Sequence, residues 1–278
     1  MILGLAAALV AAVSYGFGSI LQSVAASAST PSEQLDLVLI ARLVGQWRYA
    51  CGLGLDLLGF VASVFALRTL PLFVVQSAVA SSVGVTALAA GVLLHARLAP
   101  RERRALVGLV VGLVLLALAG EPEHAAALGE PGPALLLAGA VGLALASFVP
   151  IRAGNEHGAA LLAAGAGVGY GAVGIAARAF AVPDPWTRVF TDPLPYAIVV
   201  YGLLATVLFA RSLQRGNVTI VAAVMFSVET VLPAAVGVAW LGDRARPGLA
   251  PVAVIGFAVT VGASIALARF AEPVPAGG

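Results

Sequence analysis

Nine stretches of roughly 18–25 mostly apolar residues follow one another along this chain, each long enough to cross a bilayer as a helix. They fall at about 2–24, 49–67, 71–95, 103–120, 131–150, 159–180, 195–213, 217–241 and 249–270, divided by clusters of Arg, Pro, Glu or Gly. The period-2 alternation of a barrel strand is missing from all of them. With 61% hydrophobic and 10% charged residues in 278, the spans leave room only for short loops. A large soluble domain and a nucleic-acid module are thereby excluded. A single cysteine, Cys51, excludes a disulfide scaffold. The expected fold class is an all-α integral membrane protein with about nine spans.

Ala25-Ala26-Ser27-Ala28 resembles a small-residue cleavage site, but no Arg or Lys precedes Arg42, so the first run reads as a retained helix rather than a signal peptide. Residues 33–47 carry Glu33, Asp36 and Arg42, which suits an interfacial helix better than the alternative, a short tenth span. Charge then sets the orientation. Arg97, Arg101, Arg103 and Arg104 form the densest basic cluster; placing it inside also puts Arg42, Arg48, Arg152, Arg211, Arg215 and Arg269 inside. Arg68, Arg188, Arg244 and Arg246 then lie outside, with Glu121, Glu123 and Glu130. The positive-inside rule gives an outer N-terminus and a cytoplasmic C-terminus, in what we expect to be a bacterial plasma membrane.

The chain also contains itself twice. AAVSYGFGSILQ, from Ala11, superposes on GAGVGYGAVGIAAR, from Gly165, with Tyr15-Gly16 over Tyr170-Gly171. FALRTLPLFVVQSAV, from Phe65, lies over FARSLQRGNVTIVAAV, from Phe209, and Gly108 falls on Gly256. The offset is about 155 residues for the first pair and roughly 145–148 for the others, the longer loop at 25–48 making up the change. Spans 1–4 (residues 1–120) thus repeat as spans 6–9 (158–278), with span 5 (121–157) as the linking helix. Equivalent spans are an odd number of crossings apart, so the copies are expected to be inverted. Inverted repeats with a midplane site between them are the architecture of secondary transporters.

The residues from span 2 to span 4, YACGLGLDLLGFVASVFALRTLPLFVVQSAVASSVGVTALAAGVLLHARLAPRE, carry a resemblance. Asp56 with Gly59-Phe60, the turn from Ala66 to Leu72 with Pro71, then Val75-Gln76, and LGDRARPG from Leu241 to Gly248 resemble the drug/metabolite transporter superfamily. The likeness is closest to its NIPA-like and EamA-like branch, which includes magnesium transporters. It covers about residues 3–270 in loose, mostly small and apolar motifs. It implies a fold and a transporter class rather than a substrate.

Ionisable groups inside a span are expensive and mark candidate sites. Asp56 sits mid-span on the stripe Gly52, Asp56, Gly59, Ser63, and Glu229 lies at the centre of span 8. Pro233, four residues on, has no N–H, so the Glu229 carbonyl is freed and a bend is expected there. A free carbonyl beside a carboxylate suits a cation or a proton. Alternatively, Glu229 hydrogen-bonds a neighbouring helix and Pro233 only kinks its own, and Asp56 pairs with an Arg or caps a packing contact. Span 3 presents Gln76, Ser77, Ser81, Gly84, Gly91 and His95 near helical spacing; span 1 offers Tyr15, Ser19 and Gln22, and span 6 Tyr170, Gly174 and Arg178. These form a candidate substrate or coupling set, with interhelical hydrogen bonding as the plainer reading of any one hydroxyl. Arg178, near the outer end of its span, either snorkels or contacts an anion. The pairs Gly108/Gly112, Gly165/Gly169 and Gly167/Gly171 are explained by close helix packing.

His95, His124 and His157 fall near different membrane boundaries and suggest no metal cluster; Walker A and dinucleotide motifs are missing. No enzyme activity and no cofactor are expected. The leading expectation is a secondary transporter moving a small polar or amphipathic solute by alternating access, with Glu229, Asp56 or both coupling it to protons. A Mg²⁺ or other divalent-cation transporter is the alternative, using the same two acids. A flippase of lipid-linked substrates and a membrane assembly subunit follow. The expected partners are the bilayer and a small solute or ion, the protein being a monomer or homodimer.

Overall fold

The computed structural model describes residues 2–27, 47–93, 99–121, 128–129, 131–153, 156–180, 186–215 and 218–270. Most of 33–47, with His95, His124, Arg42, Arg97, Glu123 and Glu130, lies outside them. The helices are α1 (Ile2–Ser27), α2 (Trp47–Ala66), α3 (Leu72–Ala80), α4 (Ser82–Leu93), α5 (Pro100–Ala119), α6 (Gly132–Ala153), α7 (Glu156–Ala179), α8 (Pro193–Leu213), α9 (Val218–Trp240) and α10 (Ala250–Phe270). A 3₁₀ turn covers Trp186–Phe190. Among the described residues, seven segments are long and apolar enough to cross a membrane, the pair α3–α4 counting as one. The remaining two are α5, whose first turn carries Arg101, Glu102, Arg103 and Arg104, and α6, which contributes a shorter apolar stretch over Gly132–Phe148. The fold is therefore all-helical and membrane-type. Its outer face is apolar, with Leu57, Val107, Leu145, Leu203 and Val254 exposed, as a lipid-facing surface requires.

The third span is broken at Ser81. Its N–H bonds back to both Ser77 and Ala78, its hydroxyl bonds the Ala78 carbonyl at 2.5 Å, and α4 restarts as Gly84 N–H bonds Ser81. A serine hydroxyl that competes for backbone carbonyls tightens the turn locally. The short α3 is the centre of the molecule. Every residue from Leu72 to Ala78 is buried, and it touches α1, α2, α4, α5, α7, α9 and α10. A helix enclosed on every side is apolar all round, and Gln76 and Ser77 are the departures.

Around α3, α1 packs along α2 and α7 along α8, while α5 packs along α10. Helix α6 lies against α7 and α8. Glycines set the closest approaches. A Cβ on Gly112 would lie 2.8 Å from the Gly256 carbonyl oxygen, and one on Gly256 would lie 3.0 Å from that of Gly112, so α5 and α10 cross backbone to backbone. Gly108 faces Ala263 and Val259, so the two helices are antiparallel. At the α7–α9 crossing, Gly167 meets the Met225 carbonyl and Gly171 meets the Pro233 ring. Helix α9 continues through Pro233 to Trp240.

Candidate functional site

A cavity of about 650 Å³ lies among α1, α2, α3, α4, α7, α8 and α9. Asp56 on α2 and Glu229 on α9 both line it, as do Tyr15, Tyr170 and Gln76. Of the residues singled out in the sequence, Asp56, Glu229, Tyr15, Ser19, Tyr170, Gly174 and Gln76 are thus brought into one chamber, by helices that belong to both halves of the chain. Local packing explains each position. Tyr15 lies over Gly59, where a Cβ would sit 3.2 Å from the ring, and it hydrogen-bonds Ser63. The Asp56 carboxylate fits against Gly18 of α1, whose missing Cβ leaves it room. Tyr170 hydrogen-bonds Thr206 of α8 at 3.0 Å. Each tyrosine therefore reaches a hydroxyl on the span that follows its own.

Glu229 and Gln76 differ from these. Glu229 is deep in the bundle yet keeps accessible surface toward the chamber. Gln76 is 8% exposed, with its amide nitrogen against Gly174, where any Cβ would collide with it. Among the described residues neither side chain has a hydrogen-bond partner. An unpaired polar group in a low-dielectric interior costs about 1–3 kcal/mol unless water or a ligand satisfies it. The Glu229 carbonyl, freed by Pro233, is directed to the α7 crossing at Gly171.

Ser81 and Arg178 lie elsewhere. Ser81 is buried at the break in the third span, bonded to Ala78, and its neighbours Ala80 and Ser82 line the chamber instead. The Gln22 side chain lies outside the described set. Arg178 neither snorkels nor lines the cavity: it is fully buried and forms an ion pair with Asp243 at 2.7 Å. Its guanidinium also donates to the Leu67 carbonyl.

Asp243 was not legible in advance as a structural residue, and its position follows from the end of α9. Gly242 adopts φ 75°, the left-handed region that favours glycine, and the Asp243 N–H then bonds the Gly237 carbonyl at 2.9 Å. That reversal brings the carboxylate over Gly237, which must be glycine because a Cβ would meet Oδ2. The second oxygen accepts the Leu72 N–H at 2.5 Å, capping the start of α3 where helix N–H groups are otherwise unmet. Arg68 donates to the Phe180 carbonyl and stacks 5.7 Å from the Phe180 ring centre; burial and the nearby Arg178 guanidinium lower its pKa. Glu121 N–H bonds Arg244, and Arg246 N–H bonds Ala119. The ends of α2, α5, α7 and α9 and the starts of α3 and α10 are thereby tied at one end of the bundle. This knot abuts the chamber, since Leu67 and Ala177 line it.

Among the described residues no group of three or more His, Cys, Asp or Glu side chains is placed to hold a metal ion. No family model matches the chain, and neither any curated protein nor any solved structure matches it.

Proposed function

We propose that the chain is a secondary transporter of the drug/metabolite type, moving a small polar or amphipathic solute by alternating access. The observation that carries this reading is the chamber shared by Asp56 and Glu229, each from a different half of the chain. A membrane assembly subunit would have no use for such a space or for an acid without a hydrogen-bond partner among the described residues. The antiparallel crossing of α5 with α10, the spans that the sequence equates, supports the inverted-repeat reading. So does the parallel between Tyr15 with Ser63 and Tyr170 with Thr206.

In this reading the solute and a proton compete for Glu229, with Asp56 as second acceptor. The Arg178–Asp243 knot is the closed gate at one end, the outer end by the distribution of arginines. Rocking of one half against the other separates α2–α3 from α7 and the α9–α10 turn, and so opens it. Divalent-cation passage has the two carboxylates in its favour, but Mg²⁺ demands six oxygen ligands in near-ideal geometry, and the chamber walls are mostly apolar. Reconstitution in proteoliposomes tests the proposal: solute-driven proton flux is expected, and it should vanish in the Glu229→Gln, Asp56→Asn double variant. Full coupled flux in that variant would refute the mechanism.

A further inference from the structure

The lining of the chamber narrows what it can take, provided the transporter reading of that site holds. Its charged side chains are both acids, and no Arg or His lines it among the described residues. Arg68 and Arg178, next in the chain to the lining residues Leu67 and Ala177, are spent on the Phe180 and Leu67 carbonyls and on Asp243. An anion entering here would meet no counter-charge in a low-dielectric site, whereas a cation meets two carboxylates.

Size and wall chemistry add a second constraint. About 650 Å³ falls within the range of pockets that enclose organic molecules, and is far more than a bare ion needs. Phe60, Phe209 and Phe226 form apolar walls, with the rings of Tyr15 and Tyr170 beside the acids. Aromatic faces attract ammonium groups, and more strongly when water is excluded. The third constraint is Gln76. The residue is more than nine-tenths buried, lines the chamber, and has no hydrogen-bond partner among the described residues. A site with an unpartnered amide in its wall favours a ligand that carries a matching polar group over one that lacks it.

We propose that the chamber binds an amphipathic organic monocation: its ammonium group against Glu229 and Asp56, its apolar body against Phe60, Phe209 and Phe226, and one neutral hydrogen-bonding group on Gln76. Glu229 is the counter-ion and Gln76 the residue that sets specificity.

Equilibrium binding to the purified full-length protein in nanodiscs tests this with four probes. These are benzyltrimethylammonium, its 3-hydroxy derivative, tetramethylammonium and benzenesulfonate. Benzyltrimethylammonium should bind at least about tenfold more tightly than tetramethylammonium, and benzenesulfonate should not compete. The 3-hydroxy derivative should gain a further several-fold over the parent probe, and Gln76→Leu should abolish that difference between the two. Glu229→Gln should weaken both ring-bearing cations about tenfold, with the thermal midpoint of the protein unchanged. Binding of benzenesulfonate as tight as that of the cations, cation binding indifferent to Glu229→Gln, or no cation binding at millimolar concentration would each overturn the proposal. Transport of an anion or neutral solute by proteoliposomes that bind none of the cations would refute the substrate class and leave transport standing. Cation binding in the stated order without movement across the membrane would instead keep the site and refute transport.

Discussion

Asp243 and Glu229 are acids inside the same helix bundle, the second within α9 and the first just past its end, yet their surroundings are opposite. Asp243 meets the Arg178 guanidinium at 2.7 Å and the Leu72 N–H at 2.5 Å, and both members of the ion pair are fully buried. Glu229 faces a cavity and, among the described residues, meets no hydrogen-bonding partner. A charge removed from water is tolerated when its partners are built in, and is otherwise left for something that comes and goes. The first arrangement holds helices together; the second waits for a ligand, a proton or water. The difference separates architecture from chemistry within a few turns of one helix.

The sharpest way to break this comparison is to neutralise each acid and measure stability. Asp243→Asn strands the Arg178 guanidinium in a dry interior and weakens the cap on α3, so a loss of about 3–5 kcal/mol is expected, read as a lowered thermal midpoint in detergent. Replacing both partners together, Arg178→Met with Asp243→Leu, should recover much of that loss, because no lone charge remains buried. If the double variant is no better than the single, the ion pair is not what Asp243 contributes.

Gly112→Ala comes next. It drives a Cβ against the Gly256 carbonyl at 2.8 Å, a backbone contact that cannot swing aside, and should cost about 1–3 kcal/mol. Gly54→Ala meets nothing within 4 Å and should be neutral or slightly stabilising, since alanine favours a helix over glycine by about 1 kcal/mol. Glu229→Gln should change stability by less than about 1 kcal/mol while proton coupling is lost in proteoliposomes, the reverse of the Asp243 result. A similarly small loss is expected from Tyr170→Phe, which removes one interhelical hydrogen bond to Thr206, worth about 0.6 kcal/mol in membrane proteins by denaturation.

The helical architecture was legible because lipid leaves the backbone so few choices: runs of about 20 apolar residues must close their hydrogen bonds internally. Asp56, Glu229, Tyr15, Tyr170 and Gln76 were legible for the same reason, since polar groups in such runs stand out and converge on whatever water the bundle holds. Ser81 misled because the spacing argument assumes an unbroken helix. A break there, with neither glycine nor proline at the position, shifts the phase and turns Ser82 toward the chamber instead. Arg178 read as a snorkelling or anion-contacting residue because its partner is 65 residues away in the chain. Asp243 sits in Leu241-Gly242-Asp243-Arg244-Ala245-Arg246, which by composition is a solvated turn. Only Gly242 hinted at the reversal that carries the carboxylate inward, and one glycine after a helix does not say where the next side chain goes. Local chemistry reports that a turn exists; the tertiary fold decides what the turn delivers.

Cysteine accessibility tests directly whether water fills the chamber between the two halves. In a Cys51→Ser background, Val79→Cys on α3 and Ile198→Cys on α8 both line the cavity, while Leu57→Cys and Leu203→Cys sit on the exposed apolar surface. A membrane-impermeant, water-soluble methanethiosulfonate reagent should modify the two chamber positions in membranes and leave the two lipid-facing ones untouched. Modification should slow when benzyltrimethylammonium is present. Chamber cysteines as inert as Leu57→Cys would mean that no water reaches Asp56 and Glu229, and would contradict the account.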